Sequence, residues 1–303
     1  MSSLLELLEH CILCPRECGI NRLAGEKGRC GASGEKIRVA RAALHYWEEP
    51  CISGSNGSGA VFFSYCPLQC VYCQNRAISR GEAGKDISIE RLSEIFLELQ
   101  AQKAHNINLV TPTHYVPQII LALQKAKQNG LTIPIVFNCG GYEKPETLQL
   151  LDGLVDVYLP DFKYVSAEHA ARYSHASDYF DHAKAALAEM VRQTGKAVFD
   201  VHGIMTRGVI VRHLLLPGMA QESKKILRYL HRKYGDTIYL SIMNQFTPLE
   251  NVQDYPEINR TITESEYEKM IDFAVNLGIE NGFIQEGGTA DESFIPAFDC
   301  EGV

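Results

Sequence analysis

Three cysteines, Cys66, Cys70 and Cys73, fall within eight residues in the stretch SYCPLQCVYCQN. Thiolates gathered this closely hold a metal centre, yet three are one short of a tetrahedral set. A zinc ribbon would present two CxxC pairs parted by a spacer, whereas this loop offers CxxxCxxC directly after an apolar run. The spacing suits a four-iron cluster, in which each iron takes one thiolate. Three filled corners leave a fourth iron open to a ligand that is not protein. The competing reading is a zinc loop that borrows a distant fourth ligand.

A second set, Cys11, Cys14, Cys18 and Cys30, follows C-x2-C-x3-C-x11-C. Four thiolates make a closed site, and either zinc or a second 4Fe–4S cluster satisfies it. The surrounding segment, CILCPRECGINRLAGEKGRCGASG, is rich in glycine and charge and has no hydrophobic period, so it reads as a small metal-knotted lobe. Its role is structural, or it relays electrons or contacts the substrate. Seven of the ten cysteines lie in these two groups, the pattern of metal or redox chemistry in a reducing compartment. Of the others, Cys51 reads first as a buried thiol, Cys139 as a possible cavity residue past the third strand, and Cys300 carries no signal.

Broad classes narrow quickly. With 29 basic and 37 acidic side chains the net charge is −8, which disfavours a surface built for nucleic acid. No apolar run reaches membrane-spanning length, and the acidic N-terminus MSSLLELLEHCILC lacks a basic leader, so a soluble, cytoplasmic protein is expected, with no nucleic-acid or membrane partner.

From about residue 60, β-rich apolar runs alternate with helix-period segments. The runs cover residues 60–64, 107–110, 133–137, 155–159, 209–216 and 237–243, and their continuity fits strands covered on both faces in a parallel sheet. Helix ends are legible: Ser88 caps one helix, Pro145 opens another, Asp178 and Gly195 bracket a third, and Thr263 with Glu266 forms a capping box before a helix that stops at Gly278. Six β/α repeats predict an α/β fold, a partial (β/α)6 TIM-like barrel with a small N-terminal cysteine-rich metal lobe. The expected division is residues 1–58 for the lobe and its glycine-rich linker SGSNGSG, and 59–303 for the barrel. Reactive groups in such folds sit past the C-terminal ends of the strands. That rule selects residues 65–75, 111–115, 138–142, 161–163, 212–218 and 244–247.

The segment CPLQCVYC resembles the CxxxCxxC signature of the radical S-adenosylmethionine superfamily, with Tyr72 just before the last cysteine. The resemblance implies that the open iron binds the amino and carboxylate groups of S-adenosylmethionine. It also implies that the reduced cluster cleaves the sulfonium to a 5′-deoxyadenosyl radical, which abstracts a hydrogen atom. More widely, CILCPRECGINR, LHYWEEPCISG, NGSGAVFF, CVYCQN, VDVYLPDFKY and RHLLLPG together resemble a branch related to pyruvate formate-lyase activating enzyme. That enzyme makes a glycyl radical on a partner protein; the likeness does not carry the substrate with it. An electron donor such as flavodoxin or ferredoxin is also implied.

Carried over by resemblance, DFK matches a DxK after the fourth strand and places Asp161 and Lys163 at the cofactor site, and Arg212 lies in a segment similar to RYVVVPG. A methionine carboxylate needs cationic partners, which Lys163 or Arg212 supplies. Activating enzymes have GGE after the second strand where this sequence reads TPTHY, so Thr111, Thr113 and His114 become candidates to touch the cofactor; GGYE at 140–143 follows the third strand and is not the same element. Tyr72, Asn138 and Gln245 complete the cofactor candidates, with Asn244 beside Gln245. In LHYWEEP, which also holds His45 and Tyr46, Trp47 reads first as a packing residue, with substrate contact as the alternative. The loop 200–208 sits where a lid over the cavity would be, and His202 and Arg207 read first as solvated loop residues, with substrate contact as the alternative. The alternatives from other classes are an iron–sulfur electron carrier without chemistry of its own and a zinc-dependent nucleic-acid-binding protein. The substrate, protein or small molecule, is left open.

Overall fold

The computed structural model describes residues 2–285 and 296–303. Its strands are β1 (Ile37–His45), β2 (Ser58–Phe63), β3 (Lys85–Ile87), β4 (Ile107–Val110), β5 (Ile135–Cys139), β6 (Val157–Pro160), β7 (Val198–Phe199), β8 (Met205–Leu214), β9 (Tyr239–Met243) and β10 (Gly282–Ile284). β2, β4, β5, β6, β8, β9 and β10 run parallel in that spatial order. β1 lies antiparallel beside β2, β3 beside β1, and β7 folds back on β8. The mostly parallel α/β sheet agrees with the sequence reading. Each of the six expected runs supplies a parallel strand, and β10 is a seventh.

Helices connect the parallel strands, and their ends follow local chemistry. The Ser88 hydroxyl accepts the amide of Arg91 at 3.2 Å to start Ile89–Ala101. Thr263 and Glu266 form the reciprocal capping box of Glu264–Leu277, and Gly278, left-handed at φ 89°, ends it. Asp178 precedes Tyr179–Thr194 without capping it through its side chain, because one carboxylate oxygen accepts the Tyr142 hydroxyl at 2.8 Å instead.

The sheet continues across residue 58. Ala42–His45 pair with Ser58–Val61 in antiparallel register, so β1 belongs to the same sheet as the barrel strands. The stretch SGSNGSG is accordingly the connection inside this pair. Gly54 and Gly57 hold left-handed backbone there, and a Cβ on Gly54 would come within 2.5 Å of Ile204.

Side chains alternate across the strands, which divides the sheet into two faces. Phe137, Tyr158, Val209, Val211, Leu240 and Ile242 face the helices in the main core. Val136, Val157, Leu159 and Ile210 point the other way and meet Cys51 and Ile52. These two residues belong to a single helical turn, Pro50–Ser53, that closes the floor of the partial barrel. Buried Asn106 clamps the turn: its amide donates to the Ile52 carbonyl at 2.8 Å and its carbonyl accepts from Ser58 at 2.6 Å. Cys51 is thus a packed thiol. Cys139, adjacent to inward-facing Asn138, points by the same alternation into the helix-side core and does not line the cavity. Cys300 donates its amide to the Ala40 carbonyl at 2.9 Å.

The segment 200–208 is not a lid. It turns between β7 and β8 at the N-terminal end of β8, the end opposite Arg212 and Leu214. Asp200 holds the turn by accepting the amides of His202 and Ile204, and Arg207 donates to the Gln193 carbonyl at 2.7 Å. Among the described residues, no helix is long and apolar enough to cross a membrane.

Ile52 is fully buried in the floor while Val201 is 94% exposed at the turn. Ile52→Ala should therefore cost about 2–5 kcal/mol in urea unfolding, and Val201→Ala within about 0.5 kcal/mol of zero. Equal effects would mean that the floor is not packed as described.

Candidate active site

A cavity of about 510 Å³ opens where the parallel strands end. Side chains from β2 to β10 line it, so the sheet wraps around it: Phe62, Val110, Asn138, Arg212, Leu214, Ser241, Met243 and Phe283 all face in. Cys70, Tyr72 and Cys73 form part of the wall, and Asp161, Lys163 and Gln245 part of the rim.

The three-cysteine loop follows β2 through two left-handed residues, Tyr65 (φ 76°) and Gln69 (φ 50°), which turn the chain sharply just before Cys66 and just before Cys70. The thiols sense one another. Burial first, and then Cys70 and neighbouring groups, push Cys66 up to about 12 and Cys73 up to about 11. Such thiols are protonated in the protein alone, and a bound metal has to supply the charge that ionises them. Ser174 donates to the Cys70 sulfur at 2.9 Å, Tyr164 meets Ser174 at 2.8 Å, and Tyr164 donates to the Tyr72 hydroxyl at 2.7 Å. Among the described residues, no three His, Cys, Asp or Glu side chains close around a single metal ion. A four-iron cube takes its ligands at separate corners and needs no such closure.

Arg212 forms the electrostatic centre. Its Nη1 meets Glu48 at 3.0 Å and its Nε meets Asp161 at 3.3 Å, while Nη2 donates to the Asn138 side-chain carbonyl. Lys163 pairs with Asp161 at 2.6 Å. Burial pushes the Asp161 carboxyl up, but Lys163 and Arg212 outweigh it and hold the group below its usual range. Burial likewise pulls Lys163 down, and the Asp161 charge more than reverses it. Both pairs remain charged at neutral pH.

Glu48 and Glu49 were not legible as site residues. Glu48 also accepts from Asn108 at 2.9 Å and from Asn138 at 3.4 Å, so one carboxylate ties the crossing segment to two strands. Glu49, 8% exposed, is pushed up by burial, and one of its oxygens has no partner among the described residues. The only available signal was two adjacent acids before the proline that starts the floor turn. His45 and Trp47 also line the cavity. Burial and the nearby Arg41 and Arg212 push His45 down to about 4, so it is neutral; Trp47 is 66% exposed at the mouth.

Of the cofactor candidates from sequence, Tyr72, Asn138, Asp161, Lys163, Arg212 and Gln245 meet on this cavity. Gln245 is fixed by Gln74, which donates to its backbone carbonyl at 2.7 Å, and by Gln285, which donates to its side chain at 2.9 Å. The backbone amide of Asn244 donates to the Gln285 side chain at 2.8 Å. Thr111, Thr113 and His114 stand elsewhere. Thr111 spends its amide on the Asn138 carbonyl at 2.8 Å, and Thr113 is buried beside Glu143. His114 turns away from the cavity: its ring Nε2 bonds the Ser64 carbonyl at 2.8 Å, and it lies against the N-terminal cysteines. The chain bends away because residues 113–115 form a helical turn leading into Val116–Gln128.

Cys11, Cys14, Cys18 and Cys30 line one small pocket together with Leu13, Ile20, Arg22, Gly28 and His114. The segment that lines this pocket packs on the three-cysteine loop. Arg16 donates to the Pro67 carbonyl at 3.0 Å, and Gln69 donates to the carbonyls of Arg29 and Cys30, each at 3.3 Å.

Residues 60–230 match the family model of the Radical SAM superfamily. The uncharacterized protein MJ0674 of Methanocaldococcus jannaschii is 28% identical over 284 residues, covering 90% of this chain and 77% of that protein. The crystal structure of HydG, an FeFe-hydrogenase maturase, is similar at a TM-score of 0.53 and 12% identity over 78% of this chain. The match takes in 53% of HydG, so this chain spans about half of that structure, and the likeness is one of fold. The structure of methylornithine synthase, PylB, aligns at a TM-score of 0.48 and 16% identity, covering 74% of this chain and 72% of that one.

The rim depends on Gly141. At φ 77° it is left-handed, and a Cβ there would stand 2.1 Å from the Asp161 carbonyl oxygen. Gly153 has nearly the same backbone, φ 76°, and open space around it. Gly153→Ala should lose about 1–2 kcal/mol in chemical denaturation, the left-handed cost alone. Gly141→Ala should lose clearly more, because backbone must also move. Equal losses would show that the close approach to Asp161 is not a constraint.

Proposed function

The chain belongs to the radical SAM superfamily, and from that premise we propose that it is an enzyme whose reaction starts at the wall formed by Cys70, Tyr72 and Cys73. In this reading Cys66, Cys70 and Cys73 hold three irons of a 4Fe–4S cluster, and S-adenosylmethionine takes the fourth. Cluster and cofactor together supply a 5′-deoxyadenosyl radical for hydrogen abstraction. The observation that carries the reading is the opening of Cys70 and Cys73 onto a cavity that also holds Arg212, Lys163, Asp161 and Asn138.

The protein's own side chains have distinct tasks in this proposal. Arg212 and Lys163 provide fixed positive charge for a carboxylate, and Asp161 and Glu48 keep both cations in place when the cavity is empty. Preorganisation of this kind spares the cofactor the cost of ordering long side chains. Asn138, Gln245 and Tyr72 offer polar atoms around the wall, while Phe62, Val110, Leu214, Met243 and Phe283 exclude water from it. The resemblance of RHLLLPG and DFK to activating enzymes supports hydrogen abstraction of the glycyl-radical-activase kind. A low-potential donor such as flavodoxin or ferredoxin would supply the electron in the cytoplasm. The closed set Cys11, Cys14, Cys18 and Cys30 is proposed to hold a second metal centre, a 4Fe–4S cluster or zinc.

Protein reconstituted anaerobically with iron and sulfide, and reduced with dithionite, should convert S-adenosylmethionine to 5′-deoxyadenosine. Cys73→Ala should abolish the product while sparing metal at the N-terminal set. A fully loaded cluster that yields no 5′-deoxyadenosine would sink the proposal.

A further inference from the structure

Arg22 is the largest fully buried side chain of the lobe, at 0% exposure. A guanidinium carries its charge at any accessible pH and has five N–H donors to satisfy. One of them is placed: Nη1 donates to the His114 carbonyl at 2.5 Å. The ring of Tyr115 lies 5.7 Å from the guanidinium carbon and offers a weak aromatic contact. Nε and Nη2 have no partner, and among the described residues no carboxylate pairs with this cation.

A buried cation without an anion is among the most costly arrangements in a protein, so the molecule has to bring a negative charge to it. Contrast Arg212, which is only partly buried and is met by two carboxylates. The space that Arg22 lines is not acidic; its polar wall consists of Cys11, Cys14, Cys18, Cys30 and His114. His114 is engaged through Nε2 with Ser64 and adds no anion. The lobe's backbone fixes Arg22 there, with its amide donating to the Leu8 carbonyl at 2.8 Å and its carbonyl accepting from Gly34 at 2.7 Å.

We propose that Arg22 is the built-in counter-cation of an anionic metal–thiolate centre held by Cys11, Cys14, Cys18 and Cys30. Four thiolates around a zinc ion, or around a four-iron core of charge two plus, leave the same net dianion, so the electrostatic argument holds for either metal. The free Nε and Nη2 donors supply the hydrogen bonds that sulfur ligands of such centres accept from their surroundings. Arg22 is thus a positioning residue that acts on the ligands. The inference rests on the second metal centre proposed above, and it assigns that centre a charge and a partner.

The test uses the full chain with Cys66, Cys70 and Cys73 all changed to Ala, so that any bound metal belongs to the lobe. One arm is reconstituted with iron and sulfide, the other with zinc, and metal is measured by elemental analysis. In the arm that loads, Arg22→Met should speed metal loss to a chelator about tenfold, and Arg22→Lys should restore most of the retention. The melting temperature gives a sign that packing alone cannot produce. Arg22→Met should lower it in the loaded protein and raise it in a variant with Cys11, Cys14, Cys18 and Cys30 changed to Ser, where the cation has no anion to meet. Unchanged metal retention, or the same fall in both backgrounds, would overturn the assignment of Arg22. If neither arm takes up metal, the second centre itself is wrong and Arg22 falls with it.

Discussion

The placement of Arg212 is the constraint around which the cavity is organised. A guanidinium at the end of a central strand, with its side chain only 16% exposed, has its charge met largely from within the site. Asp161 meets it from β6, the adjacent strand, through a bridge that prolongs the parallel pairing beyond Pro160. Asn138 meets it from β5, one strand further. Glu48 arrives from outside the parallel set, on the segment between β1 and the floor turn. Removing any partner leaves the others holding a buried charge that is less well compensated, so the pairs are better regarded as one network than as separate salt bridges.

That network explains why β1 and the turn after it belong to the reactive unit. Ile52 and Cys51 close the floor through apolar packing, and the same five-residue stretch delivers Glu48 and Glu49 to the layer above. The barrel interior is therefore built in two storeys. An apolar layer excludes water at the base, and a charged layer at the strand ends works in the weaker dielectric that the base creates. The cysteine loop forms the third side of the same space and is braced from behind by the lobe, through Arg16 on Pro67 and Gln69 on Cys30.

Much of this was legible in the sequence because it depends on local spacing. Both cysteine sets, the six parallel strands and the caps at Ser88 and Thr263 involve residues close in the chain, and DFK with Arg212 could be placed by their position at strand ends. Failures came where long-range packing decides. The alternating small residues of RVARAALH make a weak strand signal, since alanine fits a strand poorly unless a neighbouring strand is already there. Here β2 is that neighbour. Thr113 and His114 follow a strand end, as reactive groups should, but the next residues start a helix at once and turn both side chains behind the sheet. Glu48 and Glu49 look like two surface acids until the floor turn is known to enter the barrel.

The two cysteine sets differ in how their charge is balanced, and this separates their chemistry. The three-thiol loop faces a cavity whose cations, Arg212 and Lys163, are already paired with Asp161 and Glu48. An incoming ligand there exchanges one set of ion pairs for another, so it can bind and leave at modest cost. The four-thiol set faces one cation that, among the described residues, has no carboxylate partner. An anionic centre in that pocket gains a desolvated charge partner that it loses completely on leaving, which favours permanent occupancy. Exchangeable pairing suits a site that turns over, and unshared pairing suits the proposed centre that stays bound once it is filled.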